Sequence, residues 1–322
     1  LSGEAPVPTV AANRERIQEI AGLLKGIPDL PSLDYAGGLF PPPGAARAPD
    51  YFFGIVLHQF GFWKDDGRRY LEPMFARIGG ETRKGSDFVW KAAARALERE
   101  PAFFDPAFQA VITPRTFAAA FSDDTGTCPL PMFDAHVFLA RGYGRDLLAQ
   151  GLSPRGVVET ANAERRPLAA LLKILSGIAG YREDPLRKKA LLLALTLERR
   201  PEKFLKVKDP ESWAPVVDYH NIRTALRTGM VEAGDESLRN KLLRREFVTE
   251  EEEKAVRQAT FDAIARLIES SGAGVAKIDA LFFGARKTCP EMKEPDCPRC
   301  LLVPACAKRT DLFQPVFRTT YY

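Results

Sequence analysis

Cysteine is scarce in this chain, with five in 322 residues. Four of them fall in one stretch, CPEMKEPDCPRCLLVPAC at 289–306, and the fifth is Cys128. No apolar run approaches the roughly 18 residues a membrane-crossing helix requires, so none is expected. The opening LSGEAPVPTVAANRER lacks a basic stretch followed by an apolar one. That argues against a secretory signal, and a cytoplasmic protein is expected. The chain begins without Met, so an upstream piece is expected to have been trimmed. Neither sign of charge dominates: 46 Lys and Arg face 42 Asp and Glu, a net +4. This balance is compatible with nucleic acid without arguing for it. Local basic clusters (RRPLAALLK, LRKK, KFLKVK and RNKLLRR) lie between 165 and 245. Each also reads as a solvated helix face. Strand-like alternation is rare, and there is no internal repeat or low-complexity tract.

What is present is the composition of a globular protein, 45% hydrophobic and 27% charged. The length is ample for a buried core in one large or two intertwined domains. Residues 1–48 join a short helical pattern, RERIQEIAGLLKGI, to the Pro/Gly-rich PDLPSLDYAGGLFPPPGAARAPD. They read as an arm wrapping a domain. From residue 49 helical spacing dominates, as in FVWKAAARALERE, FDAHVFLARGYGRDLLAQ, PLAALLKILSGI and TEEEEKAVRQATFDAIARLIESS. The expected class is all-α, with many helices joined by short loops. The expected division is the arm at 1–48, a helical region of two interleaved subdomains at 49–285, a cysteine loop at 286–310 and a tail at 311–322.

The cysteines are spaced C-x7-C-x2-C-x5-C, as Cys289, Cys297, Cys300 and Cys306. Four thiolates this close can converge on one tetrahedral centre. Metal bonds can then fold a loop too short to own a hydrophobic core. A disulfide pair fits poorly with a chain that shows no sign of export. Zinc and a [4Fe–4S] cluster both accept four thiolates, so ligand type does not choose between them.

The helix-like IDALFFGARKTC leads into the first cysteine. The arrangement resembles the iron–sulfur loop of the endonuclease III group, within the helix-hairpin-helix DNA glycosylases. That pattern is C-x6-C-x2-C-x5-C; the first gap here is one residue longer. The resemblance implies a [4Fe–4S] cluster rather than zinc, and a loop that presents basic residues to DNA. Arg286, Lys287, Lys293 and Arg299 are the candidates. It also implies a catalytic aspartate upstream, in a Val-Asp-x-His motif followed by an Arg. APVVDYHNIRTALRTG at 214–229 supplies Val217, Asp218, His220 and Arg223 in that order. Asp218 also reads as a helix cap. Breaking a base–sugar bond develops positive charge on the sugar, which a fixed carboxylate can steady. Tyr219 and His220 would stand beside the substrate, His220 orienting the motif, and Arg223 would meet nucleic acid. PMFDAHVFLARG holds a second Asp-x-His, Asp134 and His136, read first as the start of a helix. His58 is expected in the core.

The family's glycine-rich hairpin is degraded here, in LSGIAGYREDPLRKKALLLALTL at 175–197. Some members use a hairpin lysine as a Schiff-base nucleophile. Lys189 is the candidate here, with Lys188 beside it for nucleic acid; both also read as ordinary helix lysines. The same stretch, with YFFGIVLHQFGFW at 51–63 and GSDFVWKAAARALEREPAFFDPAFQAVITPRTFAAAF at 85–121, resembles the queuosine-salvage N-glycosidases. That resemblance covers roughly residues 50–230. It implies a nucleotide pocket with Phe60, Phe62 and Trp63 stacking a base and Asp184 reading its edge. The aromatics read equally as core, and Asp184 as a cap before Pro185. The expectations are therefore a monomeric N-glycosylase acting on a modified or damaged base in DNA, a free queuosine-like nucleotide as the alternative substrate, and a non-catalytic nucleic-acid binder as a third reading.

Overall fold

A helical protein was expected, and the computed structural model of the chain is mostly helical. It describes residues 9–29 and 33–322, so the parts of the expected arm at 1–8 and 30–32 lie outside the described residues. In chain order the elements are β1 (Val10–Ala12), α1 (Arg14–Gly26), α2 (Ala48–Val56), β2 (Trp63–Asp65), β3 (Tyr70–Pro73), β4 (Phe75–Ile78) and β5 (Glu81–Lys84). Then follow α3 (Gly85–Arg99), α4 (Pro106–Ala110), α5 (Pro114–Ala120), α6 (Phe133–Ala149), α7 (Pro154–Ala163), α8 (Pro167–Leu175) and α9 (Lys188–Arg199). The chain continues with α10 (Tyr219–Thr228), β6 (Val231–Ala233), α11 (Glu236–Arg244), α12 (Glu250–Ser271) and α13 (Val275–Ala285). No described helix is long and apolar enough to cross a membrane.

The chain divides into two compact units, each discontinuous in sequence. The first gathers residues 9–29, Asp65–Glu72 and Ala214–Arg318; the second gathers Leu33–Lys64, Pro73–Trp213 and Thr319–Tyr322. β2 and β3 fall where the chain passes from one to the other.

In the first unit α1 packs along α12, burying Ile17, Ile20, Ala21 and Leu24 on one face. Asn13 caps α1 by accepting from the Arg16 N–H at 3.0 Å. β1 pairs antiparallel with β6, Val10 opposite Ala233 and Ala12 opposite Val231. The 22-residue α12 opens with a capping box between Thr249 and Glu252 and closes on Gly272 in the left-handed region. α10 packs against both α12 and α13. It ends at Gly229, where φ is 82° and an added Cβ would lie only 2.8 Å from the Ala307 Cβ, leaving no room for a side chain.

In the second unit α2 is buried at every position but Asp50, and it contacts α3, α7 and α9. Tyr51, Phe52, Trp90 and Phe104 form an aromatic core with Tyr35 and Phe40. Arg200, fully buried, donates to the Tyr35, Pro41 and Pro42 carbonyls and pairs with Glu202. The expectation of one arm at 1–48 is therefore corrected. Its first part is an integral strand and helix of the first unit, and residues 33–48 are tied into the second. A guanidinium with donors to spare captures carbonyls that a Pro-rich segment cannot pair with itself.

The second unit also carries a hairpin that the helical reading missed. β4 and β5 pair antiparallel, Phe75 opposite Lys84 and Ile78 opposite Glu81. Gly79 and Gly80 supply positive φ at both turn positions, as a two-residue hairpin loop demands. Both of their N–H groups donate to Asp124.

Candidate active site and cysteine loop

The candidate site is built on α10, whose sequence YHNIRTALRT is polar enough to suggest a solvent-facing helix. It is instead buried: His220, Asn221, Arg223, Thr224, Arg227 and Thr228 are all removed from water. Buried polar groups require partners, and here they find them at both ends of the helix.

At its start, Asp218 is the N-cap. Its Oδ1 accepts from the His220 and Asn221 N–H groups at 2.8 and 3.0 Å, while Oδ2 takes no part in the cap. The residue is half-buried. The backbone before it is pinned on both carbonyls. Asn221 donates from Nδ2 to Val216 at 2.8 Å, and the buried Arg257 of α12 donates to Val217 at 3.3 Å. The carboxylate is thus fixed by local capping and by a buried cation that sequence spacing gave no means of finding.

In the middle, Arg223 donates to His220 Nδ1 and to Gln314 Oε1, each at 2.9 Å. Glu291 stands 3.7 Å from Arg223, 3.8 Å from His220 Nδ1, and accepts a short bond from the Tyr70 hydroxyl. The His220 ring centroid is 4.1 Å from that of Tyr219 and 5.7 Å from that of Phe283. At the far end, Arg227 donates to Cys289 Sγ at 3.2 Å and to the carbonyls of Pro290 and Leu312, each at 2.8 Å. The ten residues of α10 thus run from Asp218 to the cysteine loop, roughly 15 Å at the helical rise per residue.

The four loop cysteines are unpaired and half-buried. Burial pushes the Cys306 thiol above its usual range, against the Lys308 N–H; the thiols of Cys300, Cys289 and Cys297 raise it further. The other three sulfurs thus lie within electrostatic reach of Cys306. Among the described residues, no group of three or more His, Cys, Asp or Glu side chains forms a metal-holding arrangement. The loop fits a cluster or zinc on two counts. Between Cys289 and Cys306 only Leu302 and Ala305 are buried apolar residues, too little to fold the segment. The donor set is also the four thiolates that either group takes.

Of the basic residues expected to meet nucleic acid, Lys287, Lys293 and Arg299 are exposed. Arg286 is half-buried, its guanidinium 3.5 Å over the Phe283 ring. Arg223 and Lys188 are corrections. Arg223 is 2% exposed, and its charge is spent on His220, Gln314 and Glu291. Lys188 is buried, its ammonium donating to the Gln59 carbonyl at 3.0 Å. Neither faces a phosphate.

Of the residues expected to form a base pocket, Phe60, Phe62 and Asp184 take the core and cap roles also read for them. Phe60 is fully buried and stacks on His136 at 4.1 Å. Phe62 is buried, Trp63 half-buried. Asp184 caps its own turn, accepting from the Leu186 and Lys188 N–H groups at 2.9 and 2.7 Å. Phe60 and Phe62 thus belong to the second unit's core. Lys189 lies inside it as well, 2% exposed, with Nζ 3.3 Å from the Leu57 carbonyl and 5.3 Å above Phe60. Burial lowers its pKa to about 7, which suits a nucleophile, but the amine is closed off from any substrate. His58 and His136 face each other through Nδ1 atoms 3.1 Å apart, both buried, and burial draws His136 down to about 3. Asp134 is exposed in the first turn of α6, as its reading as a helix start anticipates.

A groove of about 990 Å³ opens in the second unit among Arg166, Lys173, Lys208 and Glu211. None of the catalytic, binding or metal candidates lines it. Compared with known proteins, the chain matches no family model and no curated protein.

Proposed function

We propose that the chain is a DNA N-glycosylase of the helix-hairpin-helix type that hydrolyses the bond between a modified base and its sugar. The observation that carries this reading is the placing of two independent sequence signals on one buried helix. Asp218 caps one end of α10, and Arg227 at the other end binds Cys289.

As the base departs with the electrons of the bond, positive charge develops on the sugar. The Asp218 carboxylate, aimed by two N–H donors, would steady that charge from its uncapped oxygen. Water supplies hydroxyl to the sugar and a proton to the base. Cys289, Cys297, Cys300 and Cys306 would hold a [4Fe–4S] cluster, with zinc as the alternative occupant. Either group, when bound, cross-links the loop. Lys287, Lys293 and Arg299 would then offer positive charge to the DNA backbone. The burial of Phe60, Phe62 and Asp184 removes the side chains on which a queuosine-type nucleotide pocket would depend, and so favours DNA as substrate.

The test is a panel of duplexes and single strands carrying modified bases, incubated with purified protein and cleaved with alkali at any base-free site. Strand cleavage at the modified position in at least one substrate is expected. No cleavage anywhere in the panel defeats the proposal. A broad visible absorption identifies iron–sulfur, because zinc, with a filled d shell, has none.

A further inference from the structure

Glu291 is the one buried acid in the cysteine loop, two residues beyond Cys289. A carboxylate carried into the interior by such a loop needs a reason. It faces three groups from two separate stretches of the first unit: the Tyr70 hydroxyl, and Arg223 and His220 of α10. An arginine side chain has only donors. The Arg223 Nη2 contact with His220 Nδ1 at 2.9 Å therefore makes Nδ1 the acceptor, and the ring proton must reside on Nε2. Arg223 can stay beside this histidine only while its buried charge is balanced, and Glu291 is the acid beside it. His220 in turn gives its backbone N–H to Asp218.

We propose that Glu291 is a positioning residue. From the cysteine loop it anchors Arg223, which locks His220 as its Nε2–H tautomer and so holds the Asp218 end of α10 in place. The consequence for catalysis rests on the glycosylase reading; the tautomer lock does not. The chain has three histidines, so ring-nitrogen NMR can follow each of them, with the His220→Gln variant assigning the signal of interest.

The experiment compares full-length wild type with Glu291→Gln at mildly alkaline pH, where histidine is neutral. In wild type, His220 is expected to show a single tautomer with its proton on Nε2. In E291Q both tautomers populate, while the signals of His58 and His136 stay put. Base release by E291Q falls about tenfold in kcat with KM unchanged, the pattern of a lost transition-state contribution. A merely structural role would lower the active fraction without changing the tautomer of the folded molecules. An unchanged His220 signal in E291Q overturns the proposal. If E291Q does not fold, Tyr70→Phe, which removes the hydroxyl holding the same carboxylate, is read in the same way. If wild type releases no base from any substrate, the glycosylase reading fails, and the NMR comparison still decides the lock.

Discussion

Lys189 shows what burial does to a single side chain. Its ammonium has exchanged water for one carbonyl and an aromatic face, and its pKa has dropped from 10.5 to about 7. Between those two values the unfolded chain binds a proton that the folded protein largely refuses. Stability therefore rises with pH across that interval, and the penalty is fully in force below it. Lys189→Met should be more stable than wild type at pH 7, by up to several kcal/mol. That advantage should shrink as the pH approaches 10, read as the difference in urea midpoints. A variant that is less stable at pH 7, or whose advantage does not change with pH, contradicts this assignment. The sequence offered Lys188 and Arg223 to nucleic acid and Lys189 as a nucleophile because helical spacing says nothing of a partner 60 or more residues away. Their burial depends on the Gln59 and Leu57 carbonyls and on Glu291. The Asp218 cap and the cysteine spacing were legible because both are local patterns.

At the scale of elements, helices were readable wherever an apolar stripe recurred, as in α1, α3 and α12. The β4–β5 hairpin was not, because four-residue strands give alternation no length in which to show. Its Gly79-Gly80 turn was the available signal. α10 was found through a motif, yet its polar composition concealed that it is buried. The end of α10 offers a direct check. A side chain at Gly229 meets both an unfavourable φ and the Ala307 Cβ of the segment just after the cysteines. Gly229→Ala should cost about 1–3 kcal/mol, seen as a lower denaturant midpoint at constant slope. A neutral effect would mean that this helix terminus is not held against the loop as described.

For the whole molecule, the chain order hides the organisation. The first unit is assembled from the chain's two flanks and a short excursion at Asp65–Glu72, so no single stretch of sequence displays it. The excursion delivers Tyr70 to Glu291, and β1 reaches β6 across more than two hundred residues. The class of fold was legible from periodicity. The partition was not, because discontinuous units leave no shift of composition at their borders. Within the first unit, the candidate carboxylate and the cysteine loop are joined by one helix, and the proposed chemistry stands on that carboxylate's charge. Asn caps a helix about as well as Asp, so Asp218→Asn removes the charge while keeping the local structure. Single-turnover base release from a substrate cut by wild type should fall about 100-fold or more in D218N, with its circular dichroism unchanged. Release at the wild-type rate by folded D218N would show that the sugar is steadied elsewhere, and that Asp218 is a cap alone.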